Sequence, residues 1–271
     1  MTIGYWSEVP GKGAVTFNMI ATALSMSAKC KERLILMQGK YDYNRIDYAF
    51  TPFMEDNMMR EDYDYYNYGG MDNIINRLEH HVLSTGDIEK ELIRVDDSNV
   101  YYLPATRQRI RELFDRRFMK VSGQYIRILN KFDEDTVILI ELESGPENIA
   151  EDVLKALDVL VINISQGNNP VGRIGDNRAI MENSVFIVGR YDEASQFNVR
   201  NIYRKYHIDA ERIGVVPYNI QLKDAMTLGK SRDFFERNEG VGKENDNYIF
   251  MKYLDNTTDM IIKRCGLGVY G

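Results

Sequence analysis

The feature that most constrains this 271-residue chain is a series of short apolar runs, each followed by a stretch of helical length. Ile3–Trp6, Arg33–Gln38, Thr136–Ile140, Val159–Ile164, Ser184–Val188 and Arg212–Pro217 are such runs, and Asn99–Leu103 adds another that ends at Pro104. A strand with one wet face alternates apolar and polar residues. Val137-Ile138-Leu139-Ile140 has no polar side to offer, which is the pattern of parallel strands buried on both faces. Parallel neighbours need a crossover, normally a helix. The segments Val15 to Lys29, Met71 to Val82, Gly86 to Ile93, 106–131, 147–156, 169–181, 195–206 and 221–229 read as helices. The expected fold class is α/β: a three-layer sandwich, its mostly parallel sheet flanked by helices, with Ile3–Trp6 and Ile138–Ile140 central. No Pro/Gly/Ser-rich linker and no internal repeat divides the chain. One domain over 1–271 is expected, with a Tyr- and Met-rich excursion at about 41–70.

The first strand runs into Ser7-Glu8-Val9-Pro10-Gly11-Lys12-Gly13-Ala14 and then directly into a helix whose inner face carries Met19, Ile20, Ala23 and Leu24. Strand, glycine-lysine turn and helix is the layout of a phosphate-binding loop, where free N–H groups at a helix start and one lysine hold a polyphosphate. A Gly-Lys pair alone is equally a solvated turn; its position after the first strand favours the loop. Gly13 stands where a magnesium-binding Ser or Thr belongs, and glycine offers a metal only backbone oxygen.

Composition excludes several classes. A formal net charge of −7 argues against a general polyanion binder, which needs a concentrated positive surface. Arg107, Arg109, Arg111, Arg116, Arg117 and Lys120 spread around a helix and read as a solvated face before a nucleic-acid contact. No apolar run approaches the roughly 20 residues of a membrane span, and no signal pattern opens the chain, so a cytoplasmic protein is expected. Cys30 and Cys265 are far apart, and three histidines without cysteine partners make a poor zinc set.

Taken in order, these segments resemble the ParA/MinD family of P-loop ATPases, the deviant Walker A group, over residues 2 to about 235. Asn18 matches the helix asparagine that follows the family's K-G-G-x-G-K-[ST]-[ST] loop. Ser7 then falls on the signature lysine, Lys12 on the second lysine, and Gly13 and Ala14 on the hydroxyl pair. A register one or two residues away is the competing alignment. N-V-Y-Y-L-P-A-T-R from Asn99 to Arg107 is similar to the family's strand and L-P-A/G turn. I-L-I-E-L-E-S-G from Ile138 to Gly145 is similar to the Walker B strand, with Glu141 in place of Asp. Ile213 to Met226 resembles the proline loop and helix bordering the adenine, and Val188-Gly189-Arg190-Tyr191-Asp192 resembles V-N-R-Y-D with glycine replacing the base-reading asparagine. The whole pattern is most similar to the TadZ/CpaE-like branch, whose members help position pilus and secretion machinery at a cell pole.

The resemblance implies a P-loop NTPase-like fold of the SIMIBI type. It also implies an ATP or ADP site at Pro10, Gly11, Lys12, Gly13, Ala14, Arg190, Pro217 and Asn219. Ser7 cannot supply the charge of the signature lysine, Gly13 holds no metal hydroxyl, and Met37-Gln38-Gly39 lacks the strand-2 aspartate. Glu141 is the one acid left at a catalytic position, and magnesium has lost its usual ligand. The expected protein is therefore a localisation or scaffolding protein with weak or absent ATPase activity; an active partitioning ATPase is the alternative. Expected partners are a second copy and proteins of a polar pilus or secretion machine, which would recruit the chain to membrane or pole. The tail from Asp255 to Gly271 carries only Lys263 and Arg264, so membrane cycling through a basic amphipathic tail is not expected. Met58, Met59, Tyr63, Tyr65, Tyr66 and Tyr68 are either a partner surface or packing on their own domain.

Overall fold

The computed structural model describes residues 1–42, 45–51, 69–145, 151–167, 169–172 and 177–268. The apolar runs are strands: β1 (Thr2–Trp6), β2 (Arg33–Gly39), β4 (Val100–Tyr102), β5 (Thr136–Leu142), β6 (Val159–Ile164), β7 (Ser184–Tyr191) and β8 (Ile213–Pro217), with a short β3 (Ile93–Arg94). They form one sheet of eight strands in the order β3-β4-β2-β5-β1-β6-β7-β8. Every pairing is parallel except that of β3, which runs antiparallel to β4 at the edge. Alternate side chains of the central strands enter two separate cores. Ile3, Leu34, Leu36, Val137 and Leu139 pack on one face, and Trp6, Ile35, Met37, Ile138 and Ile140 on the other. Each fully buried side chain of this size contributes about 1.5–3 kcal/mol, so both faces must be covered.

On one face lies α1 (Val15–Ser27), and on the other α4 (Arg111–Leu129), where Phe114 stacks on Phe118 and Phe118 meets Tyr125 edge to face. The remaining helices are α2 (Met71–Glu79), α3 (Thr85–Glu89), α5 (Glu151–Ala156), α6 (Arg178–Asn183), α7 (Val199–Tyr206), α8 (Ile220–Thr227), α9 (Ser231–Asn238) and α10 (Tyr248–Cys265). Several expected helices are shorter, and for three of them the reason is local. The stretch expected as helix to Ile93 stops at Glu89 because Ile93 and Arg94 join the sheet edge. The one expected from 106 begins at Arg111, since the Thr106 hydroxyl and the Arg107 amide donate to Asp72 and hold that segment extended. The one expected over 169–181 is Arg178–Asn183, capped by Asn177.

The C-terminal helix α10 is a correction to the sequence analysis, which gave the tail no element. Phe250, Met251, Leu254, Ile261 and Ile262 pack into the same core as α1. Thr257 finishes the edge of β8: its hydroxyl accepts from the Val215 amide at 2.9 Å and donates to the Val215 carbonyl at 2.7 Å. A sheet edge needs such cover. Among the described residues no helix is long and apolar enough to cross a membrane. Cys30 and Cys265 are free and buried; burial pushes their thiols up to about 11 and about 12, out of the reactive range.

Candidate functional site

Strands β1 and β6 lie side by side, yet the helices that leave them cover opposite faces: α1 belongs to one core, and Ile180 and Met181 of α6 pack on the other. A parallel sheet opens a crevice at the carboxyl ends of its strands where the connections part in this way. A cleft of about 1140 Å³ sits there. Its walls come from the loop after β1 (Gly11, Ala14), the start of α1 (Thr16, Phe17), the end of β2 (Lys40, Asp42), Glu141 of β5, Arg190 of β7, and Pro217, Tyr218 and Lys223 after β8.

The loop is packed downward. Gly11 turns the chain at φ +73°, the Lys12 amide donates to the Val9 carbonyl, and Ala14 caps the helix in the left-handed region. Asn18 is fully buried. Its amide donates to the Gly13 carbonyl at 3.0 Å and to Asn163 Oδ1 at 2.8 Å, so loop, helix and β6 are joined through one side chain. A Cβ on Gly13 would lie 2.7 Å from the Asn163 carbonyl and 2.8 Å from Ser7 Oγ. A Cβ on Gly189 would lie 2.4 Å from the Gly13 carbonyl. The space that a side chain at position 189 of β7 would need is thus filled by the loop itself.

The strongest electrostatic feature was only partly visible in the sequence. Register pairs Gln38 with Glu141 across β2 and β5. The Glu141 carboxylate is completely buried: Oε1 accepts from Thr16 Oγ1 at 2.6 Å and Lys40 Nζ at 2.8 Å, and Oε2 accepts from Gln38 Nε2 at 3.0 Å. Gln38 Oε1 in turn accepts from the Ile46 amide at 2.8 Å, and Lys40 also binds Asp42 at 2.7 Å. Burial works against the Lys40 ammonium, but the Glu141 and Asp42 carboxylates outweigh it and hold its pKa above the ordinary lysine value. Two residues beyond, burial raises the Glu143 carboxyl despite Arg111 at 3.2 Å and the nearby Lys40. Thr16 and Lys40 are site residues that the motif comparison missed.

Of the expected site residues, Gly11, Ala14, Glu141, Arg190 and Pro217 line the cleft together. Pro10 and Lys12 are exposed in the turn and do not line it. Gly13 is buried beneath the loop. Asn219 is committed elsewhere: its side chain accepts from the Leu222 amide to cap α8 and donates to Asn247. Met58, Met59, Tyr63, Tyr65, Tyr66 and Tyr68 lie outside the described residues.

The cleft suits a nucleotide better than it suits a metal. It is large enough for a small molecule, and Arg190 and Lys223 add cations to a lining that also includes Phe17 and Tyr218. Magnesium does not fit: position 13 has neither a hydroxyl nor room for one, the Glu141 oxygens are taken by three donors, and among the described residues no group of three or more His, Cys, Asp or Glu could hold a metal.

No family model and no curated protein matches the sequence. Solved structures do match. A ParA family ATPase from Chlorobium tepidum TLS is 12% identical with a TM-score of 0.67, over 95% of this chain and 98% of that one. A chain of the MinC:MinD cell division protein complex of Aquifex aeolicus is 15% identical with a TM-score of 0.63, over 97% and 95%. The septum site-determining protein MinD of Pyrococcus horikoshii OT3, complexed with Mg-ADP, is 12% identical with a TM-score of 0.63, over 98% of both. The likeness is one of fold, and it extends over nearly the whole chain: this protein has the P-loop fold of the ParA/MinD ATPases.

Proposed function

We propose that this chain is a positioning or scaffolding protein of ParA/MinD type, whose cleft binds ATP or ADP and hydrolyses ATP very slowly or not at all. The observation that carries this is the state of Glu141. The single acid at a catalytic position is fully buried and already accepts from Thr16, Gln38 and Lys40, which leaves it poorly placed to orient a water. Stabilising a phosphoryl-transfer transition state takes cations and a positioned nucleophile at the phosphate. Ser7 contributes no charge there, and its hydroxyl is turned back to the Val9 carbonyl. That the Pyrococcus MinD is complexed with Mg-ADP supports nucleotide binding by this fold, and the MinC:MinD complex supports protein partners.

Within that class, the sequence pattern favours the TadZ/CpaE-like branch and a pilus or secretion machine at a cell pole. The partner is a protein surface, with homodimerisation as the first form of it. Tyr218 and Ile220, 51% and 52% exposed, offer apolar contact beside the cleft. The test combines calorimetric titration of ATP and ADP, phosphate release, and light scattering of the full chain. Nucleotide binding, little phosphate release and a mass above that of the monomer are expected. Turnover at the rate of an active ATPase, abolished by Lys12→Ala, would refute it.

A further inference from the structure

Lys40 reaches into the nucleotide cleft and also binds the acid that a metal would need. We propose that the cleft takes its polyphosphate ligand free of divalent metal, with the Lys40 ammonium as the built-in cation of the site. This rests on the nucleotide-binding proposal above and adds to it the ionic form of the ligand.

Three observations support it. First, Glu141 is already neutralised. Lys40 Nζ lies 2.8 Å from Oε1 and the Thr16 hydroxyl 2.6 Å from the same atom, so a metal approaching that oxygen must displace one of them. Magnesium demands a near-octahedral shell of oxygens and gives up its waters reluctantly. An occupied carboxylate in a buried strand end is a poor ligand for it. Secondly, the hydroxyl that would complete a metal shell has no space, because Ser7 Oγ and the Asn163 carbonyl stand within 2.8 Å of any Cβ at Gly13. Thirdly, the cations needed to hold phosphate oxygens without a metal are present. Lys40 is 13% exposed and lines the cleft, and among the described residues neither Arg190 nor Lys223, which line it too, makes an ion pair. Asp42 tethers Lys40 at 2.7 Å from the solvent side. A phosphate group has only to exchange with Asp42 to receive the ammonium, while Glu141 keeps it in place from below. Lysine suits this role because it is a compact point charge with three rotatable donors, enough to serve a carboxylate and a phosphate together.

The experiment is a calorimetric titration of the full chain with ADP and with ATP, once in excess magnesium and once in EDTA. The two dissociation constants are expected to agree within about threefold. Lys40→Met should weaken binding in EDTA by about tenfold or more. Because that change strands the buried Glu141 carboxylate, a second variant, Lys40→Met with Glu141→Gln, removes the pair without leaving a charge. It should fold, by circular dichroism, and show the same loss. Magnesium tightening wild-type binding about tenfold or more would overturn the proposal while leaving nucleotide binding intact. So would undiminished EDTA binding by the double variant. Heatless titration of wild type in both buffers would refute nucleotide binding itself and this proposal with it.

Discussion

Replacing Lys40 by methionine tests whether the charge cluster at the end of β2 and β5 is as tightly coupled as its geometry indicates. At 2.8 Å the Lys40–Glu141 attraction is about 6 kcal/mol for an effective dielectric of about 20, before desolvation is subtracted. Removing one partner of a buried pair typically costs about 3–5 kcal/mol, because the other charge stays behind. Glu141 has no exposure at all, so the full range applies. Two neutral donors, Thr16 and Gln38, stay on the carboxylate and keep the loss from going higher. Urea unfolding, extrapolated linearly, should place Lys40→Met about 3–5 kcal/mol below wild type, a fall in Tm of roughly 6–20 °C for a chain of this size. Adding Glu141→Gln should recover more than half of the loss. The pH dependence has a definite sign. Burial opposes the Lys40 charge, but Glu141 and Asp42 prevail and its folded pKa lies above the unfolded value. Its stabilisation is therefore complete below the unfolded lysine pKa of about 10.4 and is lost as pH rises through the folded value. On its lysine side the gap between wild type and variant should close only in strongly alkaline solution. A variant within about 1 kcal/mol of wild type would refute the coupling, since that is the worth of a surface pair.

Gly13→Ser, which puts a hydroxyl where the resemblance places the magnesium ligand, should destabilise the fold by about 1–3 kcal/mol through overpacking against Asn163 and Ser7, with no magnesium-dependent phosphate release; unchanged urea stability would contradict it. Thr257→Val keeps the shape of α10 but strips the Val215 amide and carbonyl of their partner, so chemical denaturation should show a loss of about 1–3 kcal/mol, and amide exchange at Val215 should accelerate.

The central strands were legible because burial on both faces leaves a mark on every residue. Ile138, Leu139 and Ile140 alternate between two cores, and none of them is polar. The loop after β1 was legible as a position in the fold but not as a conformation, because its shape is set by Asn163, whose strand lies 145 residues from Asn18. Lys40 was illegible for a similar reason. Its meaning comes from the parallel register that sets Gln38 beside Glu141, 103 residues apart. By motif alone Met37-Gln38-Gly39 reads as a missing aspartate; in the fold Gln38 is a donor to the acid opposite. The C-terminal helix was the reverse case. Phe250, Met251, Leu254, Thr257, Thr258, Ile261, Ile262 and Cys265 recur at helical spacing, and that period was there to be counted.

If positions 7, 13 and 189 depart from an active P-loop as the resemblance implies, the departures are not separate losses that single substitutions would reverse, because several of them touch. Gly13 is small where Ser7 Oγ and Asn163 come close, and Gly189 is small where the Gly13 carbonyl comes close. Asn18 bonds that same carbonyl and Asn163 together, so its side chain fixes how deep the loop sits. A lysine at position 7 would have to leave the buried side of the loop, and an asparagine at position 189 would have to displace the Gly13 carbonyl. Interiors packed to this density respond to added volume by strain and not by accommodation. On the other side of the loop Thr16, Gln38 and Lys40 hold Glu141 from three directions. The loop is thus fixed from below by sterics, and the helix start that follows it is tied to Glu141 through Thr16. On the proposed reading, walls pinned in this way suit the cleft to holding one ligand state rather than to passing through the successive states of a hydrolytic cycle.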